Sequence, residues 1–198
     1  MVEQRCVSAI AAILYERGDP IEELMASLAR TLLAGAIRVG GLVQHNHRIG
    51  ENARCSIELE NIMTGMRYHL TQNLGSASQS CALDTSALAE ASYALRQAID
   101  DHVQIAIVNK FGAQEAIGGG LRNEMAQIVM AGIPMLTAVS QRYLPEWHQF
   151  VGQEANLLPM SLPDVLSWCQ HIHVDPDLAS TLGKIAVKSR IRSHQVRA

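Results

Sequence analysis

With 198 residues and a formal net charge of -3 at pH 7, the chain has the size of one domain with a full core. Its 48% apolar and 18% charged residues exclude an intrinsically disordered protein, and no run approaches the roughly 18 apolar residues of a membrane span. Two Phe, two Trp and four Tyr are too few for a base-stacking platform, so nucleic acid is not an expected partner.

The N-terminus carries no secretory layout, and Cys6, Cys55, Cys81 and Cys169 form no CxxC pair. A reducing, cytoplasmic setting without a zinc knuckle is expected. One domain is expected over residues 1–183. Residues 184–198 contain Lys184, Lys188, Arg190, Arg192 and Arg197 and no acid, which predicts a frayed basic tail, with docking on a partner as the alternative.

Cys6–Tyr15 is a continuous apolar run, the pattern of a buried parallel strand. Asp19 reads as the N-cap of a helix with Pro20 at its first position, and Leu24, Leu28 and Leu32 form its apolar stripe. Gly35 ends that helix and Ile37–Val43 predicts a second strand. Ser56–Asn61 and Met66–Thr71 alternate as two short strands around a Met63-Thr64-Gly65 turn. After the polar loop Gly75–Ser80, Asp84-Thr85-Ser86 opens a helix to about Asp101, and Val103–Val108 is the clearest strand. A Gly-rich connection, Asn109–Gly120, leads to a helix over Leu121–Ala131, a strand over Ile133–Val139, and helices over Leu144–Phe150 and Pro163–Ile172. Alternating strands and helices predict an α/β fold of three layers, a mainly parallel sheet with helices on both faces.

Two strand-to-helix connections are candidate sites, because open sheets bind ligands at the carboxyl ends of their strands. In the first, Glu16–Glu23 stands where a phosphate loop would read G-x-x-x-x-G-K-[ST]. Gly18 remains, but the Lys and the Ser/Thr are missing. Asp19, Glu22 and Glu23 bring negative charge to the helix end, so helix capping explains the segment better than catalysis.

The second runs from Asn109 to Arg122. Lys110 and Arg122 supply positive charge, and Gly118, Gly119 and Gly120 let backbone amides approach an oxyanion such as phosphate, sulfate or molybdate. A flexible connection is the competing reading. Cys81, beside Asp84 at a loop-to-helix junction, is a candidate thiol, although a small buried side chain next to an N-cap accounts for it as well. His45-Asn46-His47 and His171-Ile172-His173 invite a metal reading, with surface or capping histidines as the plainer one.

GDPIEELMASLA from Gly18, VGGLVQ from Val39, CALD from Cys81, VNKFGAQEAIGGGLR from Val108 and GIPMLTAV from Gly132 form a recognisable set. Together with Leu144-Pro145 and Trp168-Cys169, they resemble an uncharacterised bacterial family distantly similar to P-loop nucleoside triphosphatases, often encoded near molybdate-transport or molybdoenzyme genes. The resemblance spans roughly residues 6 to 170. It implies a P-loop-like fold with a degenerate phosphate loop. In related active phosphatases the second site opens with an acidic pair, as in D-E-x-G-x-x-E. Here Asn109-Lys110 takes the place of Asp-Glu, while Gly112 and Glu115 keep theirs.

The combined expectation is a non-hydrolytic accessory protein that binds an oxyanion or a nucleotide, its molybdenum link resting on the resemblance alone. Lys110, Gly118–Gly120 and Arg122 would hold the anion, Glu115 would orient Lys110 or Arg122, and Cys81 with Asp84 would form the opposite wall. The resident cofactor and any metal are unknown from the sequence. A homodimer is the default assembly, and a protein partner in molybdenum metabolism is expected. The competing readings are a Mg²⁺-dependent nucleotide phosphatase or kinase relative and an interaction scaffold with a vestigial site.

Overall fold

The computed structural model describes residues 8–49, 54–72, 82–152 and 155–172. Cys81, His173, the Gly75–Ser80 loop and the basic tail lie outside the described residues. In chain order the elements are β1 (Ile10–Tyr15), α1 (Ile21–Ala34), β2 (Val39–Ile49), β3 (Arg54–Asn61), β4 (Arg67–His69), β5 (Thr71–Gln72), β6 (Ala82–Leu83), α2 (Thr85–Asp100) and β7 (Ile105–Phe111). They continue with α3 (Ala113–Ala116), α4 (Arg122–Met130), β8 (Met135–Ser140), α5 (Leu144–Val151), β9 (Asn156–Leu158) and α6 (Leu162–Ile172).

The main sheet has seven strands in the order β4-β3-β2-β7-β8-β1-β9. β2, β7, β8, β1 and β9 run parallel, and β3 and β4 extend the β2 edge as antiparallel strands. Alternation along β1 explains the three layers. Ala11 and Ile13 pack on one face with Ile21, Met25, Leu28 and Leu32 of α1 and Val165, Leu166 and Trp168 of α6. Ala12 faces the other way, towards a core that includes Ala91, Ala94 and Leu95 of α2, Met125 and Ile128 of α4, and Trp147 of α5. Each fully buried Leu or Ile side chain contributes about 1.5–3 kcal/mol, so both faces hold the sheet.

The apolar stripe of α1 runs through Ile21, Met25, Leu28 and Leu32, and Leu24 sits at its margin, only partly buried. β2 is longer than the Ile37–Val43 reading. It continues through Gln44–Ile49 because β3 pairs with it from Leu42 to Ile49. The turn at Met63-Thr64-Gly65 is present, held by Asn61 Oδ1, which accepts from the Met63 and Thr64 amides. β9, with three residues, had no periodicity of its own to announce it. It is recruited by register with Ala11–Ile13.

Asp84 is the N-cap of α2 and accepts from the Ser86 and Ala87 amides at 2.9 and 3.0 Å. Asp19 departs from its expected role. Pro20 occupies the N-cap of α1, no side chain caps that helix, and the Asp19 carboxylate turns back to accept from the Glu16 amide at 2.7 Å. The carboxylate therefore closes the loop after β1 and leaves the helix end without a side-chain cap.

Candidate functional site

The strand order passes from β1 to β8 to β7, so the carboxyl ends of all three open on one side, where doubly wound sheets bind ligands. A cleft of about 670 Å³ lies there. The loop after β1 contributes Glu16, Arg17, Gly18 and Asp19, β7 contributes Lys110, and the turn after β8 contributes Ser140, Arg142 and Tyr143. Gly18 has φ +102° with open space where a side chain would be, so the loop needs its glycine for the backbone conformation.

Lys110 reaches this cleft because the β7 ladder to β8 is interrupted between Val108 and Phe111. Such an irregularity re-aims side chains at the end of a strand. Lys110 Nζ donates to Glu22 Oε1 at 2.9 Å and lies 5.6 Å from the centre of the Tyr15 ring. Burial on its own would lower the Lys110 pKa. The Glu22 hydrogen bond and the charges of Tyr15 and Glu22 outweigh it, and the ammonium is held above its ordinary range. Burial pushes the Tyr15 phenol up, opposed by Lys110. Gln44 Nε2 stands 3.5 Å from the same Glu22 oxygen, a second and weaker donor.

The Gly-rich connection is organised around Glu115, which is 8% exposed. Its Oε2 accepts from the Gly112 amide at 2.9 Å and its Oε1 from the Leu121 amide at 3.0 Å. Gly120, at φ +60°, has no room for a Cβ because the Glu115 carboxylate occupies that space. Of the amides expected to cradle an oxyanion, Gly118 donates to the Glu115 carbonyl at 3.1 Å and Gly119 to the Gln114 carbonyl at 2.8 Å, so both are already engaged by backbone. Arg122 donates to the Glu115 carbonyl at 3.0 Å and its guanidinium lies 4.7 Å from the Phe150 ring centre and 5.9 Å from that of Phe111. None of Gly112, Glu115, Gly118, Gly119, Gly120 and Arg122 lines the cleft that holds Lys110.

Of the expected site residues, then, Gly18, Asp19 and Lys110 come together, joined by Glu22. Asn109 is 2% exposed and its amide has no hydrogen-bond partner among the described residues. Asp84 serves α2, and Cys81 lies outside the described residues. Tyr15, Arg142 and Tyr143 were missed by the sequence reading. Their signal was available, since they sit at the ends of β1 and β8, neighbours in the sheet.

Among the described residues, His45, His47 and His171 lie against structural partners. His47 Nε2 lies 3.3 Å and His69 Nδ1 3.0 Å from Glu58, and His45 Nε2 lies 2.9 Å from Glu60, close but poorly aligned for a hydrogen bond. Arg67 bridges both carboxylates at 3.3 and 3.2 Å. His171 Nδ1 is 2.6 Å from the Ser167 carbonyl, and burial pushes the Cys169 thiol up to about 12. Among the described residues no group of three His, Cys, Asp or Glu side chains could hold a metal ion. No described helix is long and apolar enough to cross a membrane.

The fold is that of a known triphosphatase: the chain superposes on the solution structure of a human cancer-related nucleoside triphosphatase with a TM-score of 0.62, at 14% identity, over 81% of this chain and 96% of that one. The expected P-loop nucleoside triphosphatase-like architecture is therefore present. In sequence, the chain is 41% identical over 143 residues to the Molybdenum import ATP-binding protein ModC 2 of Bradyrhizobium diazoefficiens, covering 72% of this chain. It spans only 16% of that relative's length, so the likeness is to one segment of it. A family model described as protein of unknown function (DUF2478) matches residues 10–168, and the chain belongs to that family.

Proposed function

We propose that the protein binds an anionic ligand, an oxyanion or a nucleotide, in the cleft between the β1 loop, β7 and β8, and does not hydrolyse it. The observation that carries this reading is the Lys110 ammonium, held charged at the carboxyl end of β7 in a cleft that Arg17 and Arg142 also line. The triphosphatase-like fold supports a phosphate-type ligand at this end of the sheet.

Hydrolysis would need a lysine on the phosphate and an acid near the metal. The chain has Glu22 and Asn109-Lys110 at those positions. The similarity to a segment of a molybdenum import protein supports an accessory role in molybdenum metabolism, with molybdate as the first oxyanion to test. In this role the described α/β unit is the binding domain.

Native mass spectrometry of the protein titrated with molybdate, phosphate, ATP and GTP tests the proposal. Saturable binding that is lost in Lys110→Ala and weakened in Arg142→Ala, without release of phosphate from ATP or GTP in the presence of Mg²⁺, is expected. Mg²⁺-dependent turnover would overturn the non-hydrolytic reading, and absence of binding to any of the four would overturn the ligand-binding one.

A further inference from the structure

The charge losses at the two classical positions of this fold are reciprocal. Set residue for residue against G-x-x-x-x-G-K-[ST], Glu16–Glu23 puts Glu16 and Ile21 at the glycine positions, with Gly18 between them, Glu22 at the lysine and Glu23 at the metal-holding hydroxyl. On β7, Lys110 occupies the second position of the acidic pair. These two reversed residues, 88 apart in sequence, meet at 2.9 Å. The cation missing from the loop is thus returned to the cleft from the strand.

Mg²⁺ does not fit this donor set. It requires oxygen ligands in near-octahedral array, usually one or two of them carboxylates. The strand offers the neutral amide of Asn109 and an ammonium that would repel the ion. Glu22, the nearest carboxylate, already neutralises that ammonium.

We propose that Lys110 stands in for the divalent cation, so that the cleft takes a compact tetrahedral dianion of the phosphate and molybdate type without metal, and that Glu22 is the internal anion this ligand displaces. The inference rests on the reading of the cleft as an anion site. Charge balance selects the ligand class. Three cations, Arg17, Lys110 and Arg142, face three carboxylates, Glu16, Asp19 and Glu22. Releasing Glu22 leaves three cations against two carboxylates, one net positive charge, so a small dianion ends about one charge in excess whereas a metal-free triphosphate ends about three in excess, and the smaller anion is favoured. Asp19 is engaged by the Glu16 amide and stays in the loop. Glu22 has somewhere to go, because Gln44 Nε2 is already 3.5 Å from its Oε1. The Tyr15 ring keeps the ammonium in position while its partner changes.

Equilibrium dialysis with molybdate and with inorganic phosphate, each in EDTA and in excess Mg²⁺, tests the proposal on the full chain. The same Kd in both conditions is expected, with affinity about tenfold tighter in Glu22→Gln, where the competing charge is gone, and lost in Lys110→Met. Metal-free ATP should not displace either oxyanion. Circular dichroism melts of both variants confirm that they are folded. Binding seen only with Mg²⁺, or affinity unchanged in Glu22→Gln, overturns the proposal while leaving the cleft an anion site. No oxyanion binding in either condition overturns the proposal and the anion-site reading together.

Discussion

Replacing Glu115 separates a structural role for the Gly-rich connection from a ligand-binding one. The carboxylate accepts two backbone amides, Gly112 at 2.9 Å and Leu121 at 3.0 Å, and the second of these bonds is buried. A hydrogen bond to a charged group contributes about 1.5–3 kcal/mol, and a buried amide left without an acceptor costs about 1–3 kcal/mol. Glu115→Ala removes both bonds, so a loss of about 3–5 kcal/mol is expected. Glu115→Gln keeps one carbonyl oxygen but turns an NH₂ towards the other amide, and about 2 kcal/mol is expected. Against a total stability of about 5–15 kcal/mol, both are large. Urea unfolding followed by far-UV circular dichroism and tryptophan fluorescence measures them. The fluorescence is well placed, since Trp147 packs on Phe111 and Phe150, the rings under Arg122. Values within about 0.5 kcal/mol of wild type for Glu115→Ala would refute the argument, because a surface-like response cannot come from a carboxylate that holds the loop together.

Gly120→Ala should cost a similar amount as Glu115→Ala, and the double variant little more than either, since the added Cβ and the carboxylate compete for one space; a double-mutant cycle in urea measures the coupling. Arg122→Ala should lower stability by about 1–2 kcal/mol through the lost Glu115 bond and ring contacts, and leave molybdate affinity unchanged in native mass spectrometry. Cys169 gives a pH dependence. Its thiol rises to about 12 from an ordinary 9.0, so between those values the folded protein keeps a proton that the unfolded chain releases, and stability falls as pH rises. Cys169 contributes a slope of about 1.4 kcal/mol per pH unit, so urea titrations of Cys169→Ala should be shallower than wild type by that amount, with the slope from the raised Tyr15 and Lys110 remaining.

The sequence reveals most where the signal is local. The run IAIV needs only its own apolar residues to be a strand, although β7 starts at Ile105 rather than Val103 and runs on through Asn109–Phe111, and Asp84 needs only the Ser86 and Ala87 amides to be a cap. Three parallel strands opening at one edge follow from their alternation with helices. Asp19 misleads because two local hydrogen bonds compete: an Asp before Pro can cap a helix or fold back on its own loop, and the Glu16 amide wins. Lys110 illustrates the opposite limit. Its partner is 88 residues away, and the strand irregularity that turns it towards α1 depends on how β7 and β8 are registered. Pattern reading grouped Lys110 with Gly118–Gly120 because they are neighbours in sequence. The fold joins it to Glu22 at the start of α1 and turns Gly118 and Gly119 back onto the Glu115 and Gln114 carbonyls. β9 could not be read either, since three residues acquire strand character only by pairing with β1.

The central claim concerns where an anion binds, and amide chemical-shift mapping of the ¹⁵N-labelled protein titrated with molybdate in EDTA tests it most directly. The account predicts saturable shifts at Gly18, Lys110 and Tyr143, with Gly118, Gly119 and Gly120 unmoved. Shifts centred on Gly118–Gly120 and Arg122 would contradict it and place the ligand in the Gly-rich connection, and a spectrum that does not respond would contradict anion binding at this sheet edge altogether.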